Sequence, residues 1–449
     1  MTKLIFHLGD MKTGSTAIQT ALASKAWVCD TVSLLYPHGN RVSHITLARS
    51  LSGKGEAANT EKLVGDILLE INATPTDIAI ISAEDFEVVD PQILKAAIEK
   101  YMPQYLPDAR FLSYVRPHAD RFASSYAERV KTGWFAGTLT EMQAQIHKRG
   151  NFVYTPRFLA WRATFGDAFT LRPMIRDLLY RQDVVADFLK FVFQSEDFTL
   201  TSTPDANESL SLENLSIVRQ MHLRLGTGQT KFQNYQATIG RALARRMNDS
   251  AYRQGTKVRI HKALAEVVRD QYAADAAALD AAFFTGTPMT DALNAAPDKA
   301  VAVEQSVRIE DHFSDREQYL INTLVDQTCV LIKADPDFLA EMLRGEHRGN
   351  VIAPDDTPDG ETPRRRRAGK GRKGAGAQAA KAERLQGGAK GRAGGGRKAG
   401  VAKRAIAAAQ GTPETATPAL RKTGAGKGRL GGGRKTGAGR AKPAEPATE

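Results

Sequence analysis

A lysine between two glycines, just ahead of two hydroxyl residues, is the first arrangement in this chain able to do chemistry. His7 to Gln19 reads HLGDMKTGSTAIQ. The apolar run Lys3 to Leu8 ends at Gly9, and helical spacing begins at Ser15 or Thr16, with Ile18 and Leu22 four apart. A strand that turns into a helix in this way makes an anion site. First-turn N–H groups lack intrahelical partners, and the helix dipole adds partial positive charge. Gly9 and Gly14 allow a close backbone approach, Lys12 adds a mobile full charge, and Ser15 and Thr16 add hydroxyl donors. The predicted cradle is therefore Lys12, Thr13, Gly14, Ser15 and Thr16. In ATPases and GTPases the lysine follows the last glycine, and a Ser or Thr then holds magnesium. Here Lys12 precedes Gly14 and no acidic metal-binding strand is evident. Taken alone, the same residues also suit a glycine turn with an incidental surface lysine.

A second strand-to-helix junction lies at Tyr114 to Tyr126, YVRPHADRFASSY. Arg116 stands at the strand's carboxyl end, and Ser124 lies about two turns into the helix that follows. Together they can grip one phosphate by charge and by a hydroxyl hydrogen bond.

The two motifs in this order resemble those of sulfotransferases that use 3′-phosphoadenosine 5′-phosphosulfate (PAPS). The first resembles the loop for the 5′-phosphosulfate, and the second the Arg and Ser that hold the 3′-phosphate. The resemblance runs from about Lys3 to Phe284 and includes YPHGNRVSHITLA, IISAE, SSYAERVKTG and NESLSLENL. It is to bacterial members related to carbohydrate sulfotransferases. Many relatives have Pro where Met11 stands and Thr where Ser15 stands; Ser15 keeps both its N–H and its hydroxyl.

The resemblance implies sulfuryl transfer from PAPS to a hydroxyl or amine, with a carbohydrate as the leading acceptor, PAP as product and no metal. Lys12 is the expected stabiliser of charge on the leaving phosphate. Glu84 follows the β-branched run Asp77 to Ser82, at the strand end where open parallel sheets bind ligands, and is the first candidate for general base. It also reads as a helix-start carboxylate, with Asp85 and Glu87 as solvated neighbours. His44 is the alternative base, or a helix-face histidine. His7 reads as buried at the end of the first strand, and His118 as a surface residue at a helix start. Lys131 reads either as an exposed helix-end lysine or as a contact for an anionic substrate.

The elements that must position these groups alternate. Strand candidates at Lys3–Leu8, Val32–Tyr36, Asp77–Ser82, Arg110–Val115 and Phe169–Arg172 are interleaved with helical stretches. The expected fold is α/β, a P-loop-type three-layer arrangement with a central parallel sheet. After Asn207 the reading is helical: Leu212–Leu225, Tyr235–Met247, Val258–Phe283, Arg316–Ile332 and Phe338–Arg344, packed on the sheet or forming a lobe over its edge. The expected domains are a sulfotransferase-like domain over 1–285, a helical extension over 286–348 and a disordered tail over 349–449.

Composition divides the chain. From Pro363 onward it holds 23 Lys and Arg against four Glu, a net of +19, so the rest carries −7 of the total +12. The tail has no aromatic residue, and its near-copies KGRAGGGRKAG and KGRLGGGRKTG cannot bury a core. It invites non-specific polyanion contact, whereas the acidic body gives no reason to bind nucleic acid. Cys29 and Cys329 are too few for a disulfide framework or a zinc site and read as buried free thiols. No secretory signal and no long apolar run appear, so a cytoplasmic protein without a transmembrane segment is expected. Two rival functions fit parts of the sequence: a nucleotide-dependent kinase built on the first loop, and a degenerate enzyme that binds polyanions through its tail.

Overall fold

Leu4 and Phe6 face one way along the first strand and Ile5 the other, yet all three are buried. That pattern needs cover on both faces of a sheet. In the computed structural model such a sheet is present. The described residues are 2–338 and 341–342, apart from 38–41, 54–58, 202–208, 228–231 and 249–254. They belong to one compact unit, Met1–Pro358. The tail from 349 and most of the predicted helix Phe338–Arg344 lie outside them.

In chain order the elements are β1 (Lys3–His7), α1 (Ser15–Ala23), β2 (Trp27–Val28), β3 (Leu34–Leu35), α2 (Ile45–Leu51), α3 (Thr60–Ala73), β4 (Ile78–Ser82), α4 (Pro91–Tyr101), β5 (Arg110–Val115), α5 (His118–Lys131), α6 (Leu139–Lys148), α7 (Thr155–Phe165), β6 (Phe169–Pro173), α8 (Val184–Phe193) and β7 (Thr199–Leu200). There follow α9 (Leu212–Leu225), α10 (Gln233–Asn248), α11 (Lys262–Phe283), α12 (Pro288–Asn294), α13 (Ala296–Lys299) and α14 (Asp315–Ala334). The five-stranded sheet has the order β3-β4-β1-β5-β6, and every pairing in it is parallel. β2 and β7 form a separate antiparallel pair.

Register fixes which side chains share a face. Ile5 pairs with Ile80, and with Leu112 and Tyr114 it packs against Ile18 and Leu22 of α1 and Phe188 and Leu189 of α8. Leu4, Phe6, Ala79, Ile81 and Phe111 face the opposite core, built with Leu94, Ile98, Phe122 and Trp161. The α/β architecture is thus three-layered, as expected. The C-terminal helices pack mainly on other helices, and α11 reaches the sheet at its β6 edge, where Phe283 lies 6.1 Å from Phe169. α9 packs against α5, and α11 against α5 and α7, as a further layer. That face of the sheet is already covered, so the apolar sides of α9 and α11 bury mainly against its covering helices.

β1 lies at the centre of the sheet. From it the chain passes to one side for β3 and β4, then crosses to the other for β5 and β6. The carboxyl ends of β1, β4 and β5 therefore open side by side where the connections diverge, the usual ligand position in such sheets. The three predicted groups of site residues follow these three strand ends.

Candidate functional site

The loop after β1 is held in an unusual backbone shape. Lys12 has φ 69° and Gly14, the residue capping α1, has φ 83°. A non-glycine residue in the left-handed region is strained, and such strain persists only where the surroundings enforce it. Thr13 is fully buried, donates its hydroxyl to Asp10 O at 2.6 Å and sends its N–H to the same oxygen at 3.3 Å. Both of its donors are thus engaged within the loop, which they staple. Gly14 provides no side-chain cap for α1, and Thr16 is exposed at the helix start.

The loop runs close against the end of β4. A Cβ at Gly9 would stand 2.7 Å from Ala83 O and 2.8 Å from Glu84 Cα, so a side chain has no room there. This approach sets the buried Ser15 hydroxyl to donate to Glu84 Oε1. Glu84 opens a short 3₁₀ turn, Glu84–Val88, and is half-buried beside the loop.

Arg116, just past β5, reaches the same loop. Its Nη1 donates to Lys12 O at 2.8 Å and lies 3.3 Å from Ser124 Oγ. The paired Arg and Ser are therefore brought together, against the backbone of the loop lysine. Burial lowers the Arg116 pKa from its usual range, its Nε is buried with no hydrogen-bond partner among the described residues, and both named partners are neutral oxygens. A half-buried guanidinium without a carboxylate in contact is costly for a protein alone and well suited to an incoming anion.

Beneath the loop lies a charged cluster the sequence reading did not assemble. Asp10, fully buried, meets Arg121 Nη1 at 3.0 Å and Arg157 Nη2 at 2.9 Å. Glu87 meets Arg121 Nη2 at 3.0 Å and accepts the Met11 N–H at 3.0 Å. Burial pushes the Asp10 carboxyl up, but Arg121 and Arg157 outweigh it and hold the pKa at about 2. Burial, then the neighbouring Asp10 charge, push Glu87 up to about 7. Arg121 comes from α5, one helical turn before Ser124, and Arg157 from α7, so two helices clamp the loop from below. Asp10 inside the glycine loop was the available signal; its partners are far away in sequence.

The remaining candidates fall differently. His44 is buried at the start of α2; its Nδ1 accepts the Ser82 N–H at 3.0 Å and its Nε2 faces Pro37 O at 2.7 Å. Both ring nitrogens are thus committed to backbone, tying the β3 and β4 ends together. His7 is buried as expected, against Ser82 Oγ at 2.8 Å, and burial lowers its pKa to about 3. His118 is not at the surface. It is fully buried, stacked between Tyr154 at 4.5 Å and Tyr272 at 4.8 Å, with Nε2 at 3.1 Å from Asp275. Packing of α11 on α5 creates that pocket, which no local pattern reveals. Asp85 and Glu87 are paired rather than solvated, Asp85 with Arg49 at 2.6 Å. Lys131 is largely covered and pairs with Glu128 at 2.5 Å. Cys329 is buried and Cys29 only partly so; both are free.

Among the described residues, no group of three or more His, Cys, Asp and Glu side chains is placed to hold a metal, and no helix is long and apolar enough to cross a membrane. No protein-family model matches the chain, and no curated protein matches it in sequence. Among solved structures, a sulfotransferase from Alicyclobacillus acidocaldarius is similar at 15% identity over 50% of this chain and 94% of that one, with a TM-score of 0.31.

Proposed function

We propose that this chain is a sulfotransferase that takes its sulfuryl group from PAPS and passes it to a hydroxyl or amine, a carbohydrate hydroxyl first. The observation that carries the reading is Arg116, half-buried with no carboxylate at ion-pair distance among the described residues, next to Ser124 and bonded to the backbone of Lys12. This arrangement provides two anion grips that share one wall. The α1 N-terminus with Lys12 and Ser15 suits the 5′-phosphosulfate, and Arg116 with Ser124 suits the 3′-phosphate. Glycine at 9 and 14 lets the loop pack tightly on Ala83 and Val184, where a Cβ would stand 2.7 and 2.8 Å away, and this packing supports a fixed cradle.

PAPS supplies the sulfuryl group and leaves as PAP. Lys12 offers its ammonium to the phosphate oxygen that gains charge. The first-turn N–H groups of α1 hold that phosphate in place, a positioning role like that in phosphoryl transfer. Glu84, half-buried and bonded by the Ser15 hydroxyl, takes the acceptor's proton. Its bond from Ser15 fixes the carboxylate relative to the phosphate grip. His44, with both nitrogens engaged, serves to hold the β4 end rather than to move a proton. The basic tail is assigned to holding acidic polymers near the body. A cytoplasmic setting accords with the two free cysteines.

The test is turnover: full-length protein, PAPS and a panel of mono- and oligosaccharides, with release of PAP measured. Saccharide-dependent PAP release supports the reading. ATP consumption in place of PAP release would move the protein to the kinases.

A further inference from the structure

The ammonium of Lys12 does not point into open space. Its Nζ lies 3.0 Å from Glu128 Oε2 on α5, and the same oxygen meets Lys131 Nζ at 2.5 Å. Arg241 of α10 stands 4.0 Å from the other oxygen. Burial alone would raise the Glu128 pKa; Lys12 and Lys131 outweigh that and hold it at about 2. Three cations thus converge on one carboxylate, and the lysine of the anion loop is one of them.

We propose that Glu128 is the resting counter-ion of Lys12. It occupies the ammonium until the donor's phosphate displaces it, and Lys131 sets how firmly it holds. The proposal rests on the donor-site reading above. Two features favour exchange over a fixed structural pair. The Lys12 backbone is pinned, since its carbonyl accepts from Arg116, while its side chain is a flexible four-carbon stem. The ammonium can therefore turn from carboxylate to phosphate without moving the loop. Lys12 and Glu128 side chains also keep 29% and 27% exposure, so the pair is partly hydrated and weak enough to open. After the exchange Glu128 keeps Lys131 and Arg241, so it is not left as an unpaired buried charge.

The roles predict opposite signs. A purely structural Glu128 would, when neutralised, weaken the fold and leave nucleotide affinity unchanged or lower. A competing counter-ion would, when neutralised, release Lys12 and raise affinity. PAP binding to full-length Glu128→Gln, measured by calorimetry, is expected to be roughly threefold to tenfold tighter than to wild type. In the Lys12→Ala background the same change should give no gain. Lys131→Ala leaves Glu128 a stronger hold on Lys12 and should weaken PAP binding roughly threefold, an effect that disappears in Glu128→Gln. If Glu128→Gln does not fold, the expected loss in Lys131→Ala carries the test, and its absence refutes the proposal. Unchanged or weaker PAP binding by folded Glu128→Gln overturns the proposal while leaving the donor site standing. A Lys131→Ala loss of equal size in both backgrounds means that Lys131 touches the nucleotide itself, which removes its assigned role. Failure of wild type to bind PAP overturns the donor-site reading and this proposal with it.

Discussion

Replacing Arg116 by alanine separates a ligand grip from a structural residue more cleanly than any other change in this protein. Arg116 gives the folded chain two hydrogen bonds, to Lys12 O at 2.8 Å and to Ser124 Oγ at 3.3 Å. Against them stands the desolvation of a guanidinium whose Nε is buried without a partner among the described residues. Each neutral hydrogen bond contributes about 0.5–1.5 kcal/mol net, and removing an uncompensated charge returns a similar amount. Stability without nucleotide is therefore predicted to change by less than about 1 kcal/mol. A charge-assisted contact to a phosphate contributes about 1.5–3 kcal/mol, so PAP affinity should fall roughly 10- to 150-fold. The assay is thermal unfolding of both proteins across a PAP titration. Wild type should gain about 2.7 kcal/mol at a hundredfold excess over its Kd, and Arg116→Ala much less at the same concentration. Arg116→Lys should recover only part, because an ammonium lacks the planar fork. An Arg116→Ala protein that melts far below wild type yet binds PAP normally would show that the residue braces the fold, and the phosphate reading would fail.

Glu84→Gln should keep PAP affinity and lose about 10²–10⁴-fold in turnover; wild-type turnover would remove Glu84 as the base. Gly9→Ala forces a Cβ to 2.7 Å from Ala83 O at φ 44° and should abolish PAP binding by lifting the loop from β4, which calorimetry can check. The raised Glu87 pKa means that the folded state binds that proton more tightly than the unfolded chain. Its contribution to stability is present below the ordinary carboxylate pKa of 4.5 and is lost as pH rises through about 7. Melting from pH 5 to 8 should show that loss, and Glu87→Gln should flatten it; an unchanged profile would contradict the assignment. A chain ending near Asn350 should bind PAP like the full-length protein but lose its salt-sensitive retention on heparin. Lost PAP binding there would place the tail in the site.

Much of this site was legible because it is built from local signals. Gly9, Lys12 and Gly14 sit within one loop, and Arg116 and Ser124 within one strand-to-helix junction, so each motif could be read locally, and the resemblance of the pair to sulfotransferase motifs joined them. The strands were legible for the same reason: IAIIS at 78–82 and RFLSYV at 110–115 are continuous apolar or β-branched runs. Before Asn207, two helices escaped the reading. Val184–Phe193 is a short, mostly apolar run with only Asp187 and Lys190 charged, which reads as easily as a buried strand, whereas Leu139–Lys148 carried a legible capping box in Thr138 and Glu141. What remained hidden is long-range. The Arg121 and Arg157 clamp on Asp10, the Lys12–Glu128 pair and the stacking of His118 between Tyr154 and Tyr272 all join elements distant in sequence. Charge type could not pair them, because an arginine on an amphipathic helix reads as a solvated face until a second helix packs over it.

PAP binding tests the proposed PAPS site at the carboxyl ends of β1, β4 and β5 without any knowledge of the acceptor. Isothermal titration of the full-length protein with PAP should give saturable one-to-one binding, weakened in Arg116→Ala and in Lys12→Ala. Adenosine 5′-monophosphate, which lacks the 3′-phosphate, should bind more weakly to wild type and be insensitive to the Arg116 change. No heat with PAP from a folded protein, or equal binding of PAP and adenosine 5′-monophosphate, would contradict the account.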